Sequence, residues 1–239
     1  AYIGLFFIIA QGITYLLYLK PKWKLLIMGG VAIYLTTLGA YSYGLSKVWH
    51  DDGTLWTNAL KKYPDISFAY TSRANYYTLK GQYNSAITDY EQYITLRPNK
   101  TEGFYRRGLV YLQIKQYEKA IRDFNDVLRL SSKHKSALGF KGMAQTELKQ
   151  YEEAAKTYTR LLSLEKENAQ KDIYLKRAKV YENLQNFNAA IADYNKVLEY
   201  DSTNVNALLN RGGLYFRQNQ FRPALSDMDK VLAAKPQNA

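Results

Sequence analysis

The chain has no cysteine and only two histidines, His50 and His134, among its 239 residues. The first absence excludes a disulfide framework and thiolate chemistry, without fixing a compartment. The second leaves a histidine-rich metal centre or a Ser-His-Asp triad poorly supplied. There is no Gly-rich phosphate loop, no nucleophile elbow and no HExxH. Adjacent carboxylates such as Glu152 and Glu153 read as solvated helix surface, since catalytic acids need a cleft that tunes their pKa. No cofactor is expected, and no enzyme activity is assigned to this chain. Acid is also missing from one end: all 21 Asp and Glu lie from Asp51 onward.

What is present is strongly basic, with a formal net charge of +12. Lys20, Lys22 and Lys24 sit inside the apolar first part, leaving 30 bases against 21 acids beyond them, a balance of +9. Such an excess favours acidic partners, anionic lipid or nucleic acid, or simply keeps the surface solvated; the last is the plainer reading.

Residues 1–19, AYIGLFFIIAQGITYLLYL, and residues 25–46, LLIMGGVAIYLTTLGAYSYGLS, carry no charge. Each run is long enough for a helix to cross a hydrocarbon core of about 30 Å. The KPKWK loop joining them predicts a helical hairpin over residues 1–46, with the basic loop on the cytoplasmic side and the rest of the chain on the other. That is the periplasm in a bacterium and a lumen or the exterior in a eukaryote. Ala32, Thr36, Ala40 and Gly44 recur every fourth residue and form a small-residue face suited to close packing with other membrane helices. That face and a start at Ala1 within an apolar run carry the expectation of a C-terminal part of a longer membrane protein.

Self-comparison reveals a repeat. Ala86, Ala120, Ala154, Ala190 and Ala224 are spaced 34, 34, 36 and 34 residues apart. Three residues before each stands an aromatic: Tyr83, Tyr117, Tyr151, Phe187 and Phe221. Twelve before stands a small residue: Ala74, Gly108, Gly142, Ala178 and Gly212. Nine before is Tyr77, Tyr111, Tyr181 or Tyr215, with Gln145 the exception. Four after is Tyr90, Phe124, Tyr158, Tyr194 or Met228. The period predicts two helices per unit, the small residues permitting close approach and the aromatics filling the gaps. No unit buries its apolar face alone, so neighbours must stack. The 36-residue step marks a two-residue insertion in LSLEKENAQKDIYL, expected to lengthen one loop.

These positions resemble the tetratricopeptide repeat (TPR), most closely in RANYYTLKGQYNSAITDYEQYITLRP and RRGLVYLQIKQYEKAIRDFNDVLRL. The resemblance implies an all-α right-handed superhelix over residues 67–238, in units 67–100, 101–134, 135–170, 171–204 and 205–238. It also implies a concave groove, lined mainly by the first helix of each unit, that binds a protein or peptide segment. By the same resemblance, Thr71, Asn75, Tyr105, Arg106, Leu109, Met143, Glu147, Lys176, Lys179 and Arg217 face that groove, a set suited to an acidic or polar partner. Members that grip a C-terminal carboxylate use lysine, asparagine and arginine at set positions. Here Asn75 matches, but Thr71, Arg106, Ser136 and Phe140 do not, so that particular function is not expected.

Thirteen residues before each reference alanine is a base: Arg73, Arg107, Lys141, Arg177 and Arg211. Three after it is Asp89, Asp123, Asp193 or Asp227, with Thr157 in the third unit. A base and an acid recurring together predict a structural ladder between packed helices rather than a ligand site. The tyrosines occupy repeat-core positions and are not free to stack on bases, so no nucleic acid is expected.

The segment VWHDDGTLWTNALKKYP, residues 48–64, lies between the two parts. Pro64 stands 34 residues before Pro98, which aligns Trp56 with Tyr90 and Leu60 with Ile94. Residues 47–66 therefore read as a connector and the second helix of a half repeat, with Trp56 buried against the first full unit. Asp51 and Asp52 fall at the helix start, where acids suit the N-terminal dipole. Trp49 suits a membrane interface, and a metal at His50, Asp51 and Asp52 is disfavoured because neighbouring ligands alone do not complete a shell. The layout is also similar to many-helix membrane glycosyltransferases that end in TPRs, such as the transmembrane and tetratricopeptide-repeat mannosyltransferases. That resemblance implies an acceptor-holding module whose catalytic part lies elsewhere.

Overall fold

The computed structural model describes residues 11–15, 18, 21–48, 51–166 and 170–234, all of the regular elements among them helical. The chain divides into two compact bodies, Ala1–Pro64 and Asp65–Ala239.

In the first body, a 3-10 turn at Pro21–Trp23 leads into α1, Lys24–Val48. Leu25–Gly44 within α1 is the one stretch among the described residues long and apolar enough to cross a membrane. None of that window is buried; Leu25, Ile33 and Tyr41 all face outward, unlike the side chains of a soluble core helix. Thr36 and Thr37 return their hydroxyls to the carbonyls of Ile33 and Tyr34, both at 2.8 Å, so neither polar group is left unpaired. The first apolar run lies largely outside the described residues, so of the expected pair of spans only the second has a candidate helix among the described residues. Helix α2, Asp52–Lys62, starts where the acids predicted: Asp51 caps it, its Oδ1 accepting the Thr54 N–H at 2.7 Å. Gly53 and Leu60 are buried and Trp56 is half-buried. Trp49 and His50 lie outside the described residues, and no group of three possible metal ligands occurs among the described ones.

Among the described residues, the second body holds ten helices in five consecutive pairs. These are α3 (Ser67–Leu79) with α4 (Tyr83–Leu96), α5 (Thr101–Gln113) with α6 (Tyr117–Leu130), α7 (Lys135–Glu147) with α8 (Tyr151–Leu162), α9 (Lys171–Asn183) with α10 (Phe187–Tyr200), and α11 (Val205–Arg217) with α12 (Phe221–Ala234). Each pair packs on itself and on the next, which makes a stacked solenoid. The turn within each pair places one residue in the left-handed region: Gly81, Lys115, Lys149, Gln185 and Asn219, with φ between 57° and 72°. That geometry ends a helix in a single step; the first unit uses glycine and the fifth asparagine, the residues suited to it, while the other three do not.

The register explains the packing. All five reference alanines are buried, four of them completely. At the small-residue positions a Cβ on Gly108 would meet the Phe124 ring at 2.9 Å, and one on Gly142 the Tyr158 ring at 2.7 Å. In the second and third units the paired helices therefore approach closely enough to exclude a methyl group, whereas the first and fourth bury one at Ala74 and Ala178. Between α8 and α9 the insertion acts as expected on the loop. Residues 163–170 separate α8 from α9, where four residues suffice elsewhere, and α8 is two residues shorter than its counterparts. Gln170 closes this longer connection by donating from Nε2 to the carbonyls of Leu162 (3.1 Å) and Glu165 (3.0 Å).

Candidate functional site

Two constellations stand out, one structural and one open to solvent. The structural one is the base–acid ladder. Arg73, Arg107, Arg177 and Arg211 each donate from Nε and Nη2 to both oxygens of Asp89, Asp123, Asp193 and Asp227, at 2.6–2.9 Å. The four carboxylates are all but buried. The third nitrogen reaches the preceding unit: Arg177 Nη1 bonds Thr159 Oγ1 at 2.8 Å, and Arg211 Nη1 bonds Asn195 Oδ1 at 2.6 Å. Arg107 Nη1 lies 3.6 Å from Glu91 in the same way. Each guanidinium also lies over the tyrosine four residues on, at 5.6–5.8 Å from the ring centre. Hydrogen bonding to the aspartate pushes Arg73 and Arg211 further up, against the opposing effect of burial. At Arg107, Arg177 and Arg211 the planar fork thus ties both helices of its own pair and reaches the pair before it.

The third unit departs at three places, and the structure joins two of them. Lys141, Gln145 and Thr157 replace arginine, tyrosine and aspartate, and Thr157 Oγ1 donates to Gln145 Oε1 at 2.7 Å. One buried polar pair stands in for the ion pair and its ring. Burial, aided by nearby Arg160, lowers the pKa of Lys141.

The open site is a groove enclosing about 330 Å³ between α7, the end of α8 and α9. Its apolar floor comes from Phe140, Met143, Leu161 and Ile173. Lys135 and Glu165 pair across one rim at 2.9 Å, while Lys176 on the other rim makes no ion pair among the described residues. Gly139 opens the groove. The same register position holds Thr71, Tyr105, Leu175 and Leu209 in the other units. A Cβ on Gly139 would make only one ordinary contact, 3.7 Å to Leu161 Cδ2. Packing therefore does not demand glycine here, although it costs a helix interior about 1 kcal/mol relative to alanine.

The ten residues expected in the groove fall into four sets. Met143 and Lys176 line the open site together. Asn75 and Arg106 meet each other: Asn75 Oδ1 accepts from Tyr90 Oη (2.7 Å) and Arg106 Nη1 (3.3 Å), and Arg106 Nε holds Glu102 at 2.8 Å. Glu147, Lys179 and Arg217 are exposed, Lys179 pairing with Glu182 at 2.7 Å. The remaining three are buried or half-buried. Thr71 is only 5% exposed, with its hydroxyl committed to the Phe68 carbonyl at 2.9 Å. Tyr105 belongs to an aromatic cluster with Phe124, His134 and Phe140, and Leu109 packs on the same core. Gly139, Leu161 and Ile173 escape sequence reasoning. The signal at Gly139 was available as the one small residue in its register column; nothing in the sequence marks Leu161 or Ile173 as groove residues rather than core.

A family model described as TPR repeat matches residues 74–115 and 183–219, and one described as tetratricopeptide repeat matches residues 105–172. The chain belongs to the tetratricopeptide-repeat family. Among solved structures it is similar to YrrB, described as a TPR protein with an unusual peptide-binding site, at 21% identity and a TM-score of 0.65, covering 77% of this chain and 93% of that one. It is similar to MamA, at 21% identity and a TM-score of 0.66, covering 71% and 92%. MamA from Desulfovibrio magneticus RS-1 matches at 19% identity with a TM-score of 0.64, covering 72% and 97%. No curated protein matches the chain.

Proposed function

We propose that this chain is a membrane-anchored scaffold that holds a protein or peptide segment on the non-cytoplasmic side, along the first helices of five units bounded as the repeat period sets them. The observation that carries the binding part is the α7–α9 groove, with its apolar floor and Lys176, which makes no ion pair among the described residues. It has the mix of apolar area and few polar groups typical of recognition sites. That YrrB is described as having a peptide-binding site supports the same reading. Anchoring is supported by the outward-facing apolar side chains of α1 and by the basic KPKWK segment, which orients a span with that end in the cytoplasm. The register of α2 supports reading it as the second helix of a half repeat. The right-handed superhelix belongs to this reading too, through the family.

A display selection against the full chain in detergent micelles tests the binding part. Enrichment of peptides whose binding is lost when Met143 and Lys176 are both changed to Ser supports it; no enrichment refutes it. A reporter fused after residue 239 tests topology: activity outside the cytoplasm is expected, and cytoplasmic activity inverts the orientation.

The small residues Ala32, Thr36, Ala40 and Gly44 lie open on α1, which favours a second reading. In it the span packs in a larger set of membrane helices, and the repeats serve as the acceptor-binding module of a membrane glycosyltransferase. Recovery of a many-helix partner by cross-linking from Ala40→Cys, or a longer parent sequence with further spans, supports this arrangement. A solitary span that yields only monomer removes it.

A further inference from the structure

The groove has a feature that peptide binding in general does not require. Gly139 stands inside helix α7, where glycine is disfavoured, and no neighbour crowds its missing Cβ. The glycines that the fold does need behave differently: a Cβ on Gly103, Gly142 or Gly212 would come within 2.7 Å of a neighbouring side chain. At the register of Gly139 the other units place side chains of threonine, leucine or tyrosine size. In the second unit Tyr105 occupies that position, and its ring packs on Phe124 and Phe140. The third unit alone leaves the space empty. What remains is a hollow of about 330 Å³ floored by Phe140, Met143, Leu161 and Ile173, at the small end of ligand-sized sites. At its rim Lys176 is the cation without an ion-pair partner among the described residues, while Lys135 is already held by Glu165.

Resting on the reading that the solenoid holds a peptide, we propose that this hollow is an anchor subsite for one large apolar side chain, of leucine, methionine or phenylalanine size, from an extended segment that carries a carboxylate one or two residues away. The apolar side chain takes the volume that a side chain at residue 139 would fill. The carboxylate pairs with Lys176, a charge-assisted bond that fixes the direction of the segment across α7 and α9. The positive balance of +9 beyond Lys24, 30 bases against 21 acids, works in the same direction, drawing acidic segments to the surface. Specificity then lies in a difference between units rather than in the repeat itself.

The test uses the full chain in detergent micelles and dye-labelled decapeptides read by fluorescence anisotropy. Each peptide carries Phe, Leu or Ala at its centre, with Asp, Ser or Lys as neighbours. Phe or Leu beside Asp is expected to bind at least 10-fold more tightly than Ala beside Asp. Gly139→Leu, which copies the residue of the fourth and fifth units, is expected to weaken that binding at least 10-fold while the melting temperature holds or rises. Lys176→Glu is expected to reverse the preference, from Asp to Lys neighbours. Equal binding by parent and Gly139→Leu overturns the subsite and leaves the peptide reading standing. Binding with no preference among Asp, Ser and Lys neighbours overturns the role of Lys176. If a random-peptide selection against the parent yields no binder, the peptide reading fails and the subsite falls with it.

Discussion

Removing Asp193 should unfasten the solenoid at its fourth unit. Its carboxylate accepts two charge-assisted bonds from Arg177, at 2.8 and 2.7 Å, and its side chain is only 5% exposed. Arg177 is tied a third time, to Thr159 in the preceding unit. Asp193→Ala leaves a guanidinium, 15% exposed, without its counter-charge. Breaking one side of a buried pair costs about 3–5 kcal/mol; because Arg177 keeps the Thr159 bond and a path to solvent, the loss should lie near the lower end. Replacing both partners, as Arg177→Met with Asp193→Leu, removes the desolvation penalty along with the attraction. It should leave the protein within about 1–2 kcal/mol of the parent. Urea unfolding followed by circular dichroism supplies the free energies for the double-mutant cycle. Because stacked repeats contact only neighbours, the loss should also be local: amide exchange in α9–α12 should accelerate more than in α3–α6. A loss below about 1 kcal/mol for the single variant, or a double variant as damaged as the sum of the singles, would refute the ladder as an element of stability.

Other outcomes follow from the same geometry. Ala120 is fully buried where α5 and α6 approach, so Ala120→Leu should overpack the crossing and cost about 1–3 kcal/mol in urea unfolding; an unchanged transition contradicts the packing. Lys115 and Lys149 hold φ of 59° and 58°, so replacing either with Gly should relieve left-handed strain and raise stability by roughly 0.5–1 kcal/mol. A decrease would show that the lysine side chains stabilise those turns in some other way. Alkaline pH should destabilise the domain. Burial, more than any other cause, raises the pKa of Tyr90, Tyr93, Tyr111, Tyr158 and Tyr194. Above about pH 10 the unfolded chain releases tyrosine protons that the folded chain retains, so stability is full below that point and falls as pH rises. Melting temperatures from pH 8 to 11, read with tyrosinate absorbance, check the sign; a flat profile counts against it.

The repeated helices were legible because each rests on local period. Alanine every 34 residues, an aromatic three before it and a small residue twelve before it define two amphipathic helices whose only common burial is against their neighbours. The ladder was legible as a recurrence of charge, since a base and an acid sixteen residues apart meet only if the two helices fold back on each other. Three other features were not. Thr71 carries the same register as Tyr105 and Gly139, yet burial differs among them because each pair meets a different neighbour. The exceptions Lys141, Gln145 and Thr157 are separate in the sequence, and only the folded pair brings Thr157 onto Gln145. The groove under Gly139 depends on what lies opposite a missing side chain, and Leu161 and Ile173 come to that place from two other helices. The sequence by itself determined the elements and their order, because helix formation and hairpin closure depend on residues near one another in the chain. The tertiary structure decided where space remains, because a vacancy is set by side chains from three helices, and no periodicity along one of them records it.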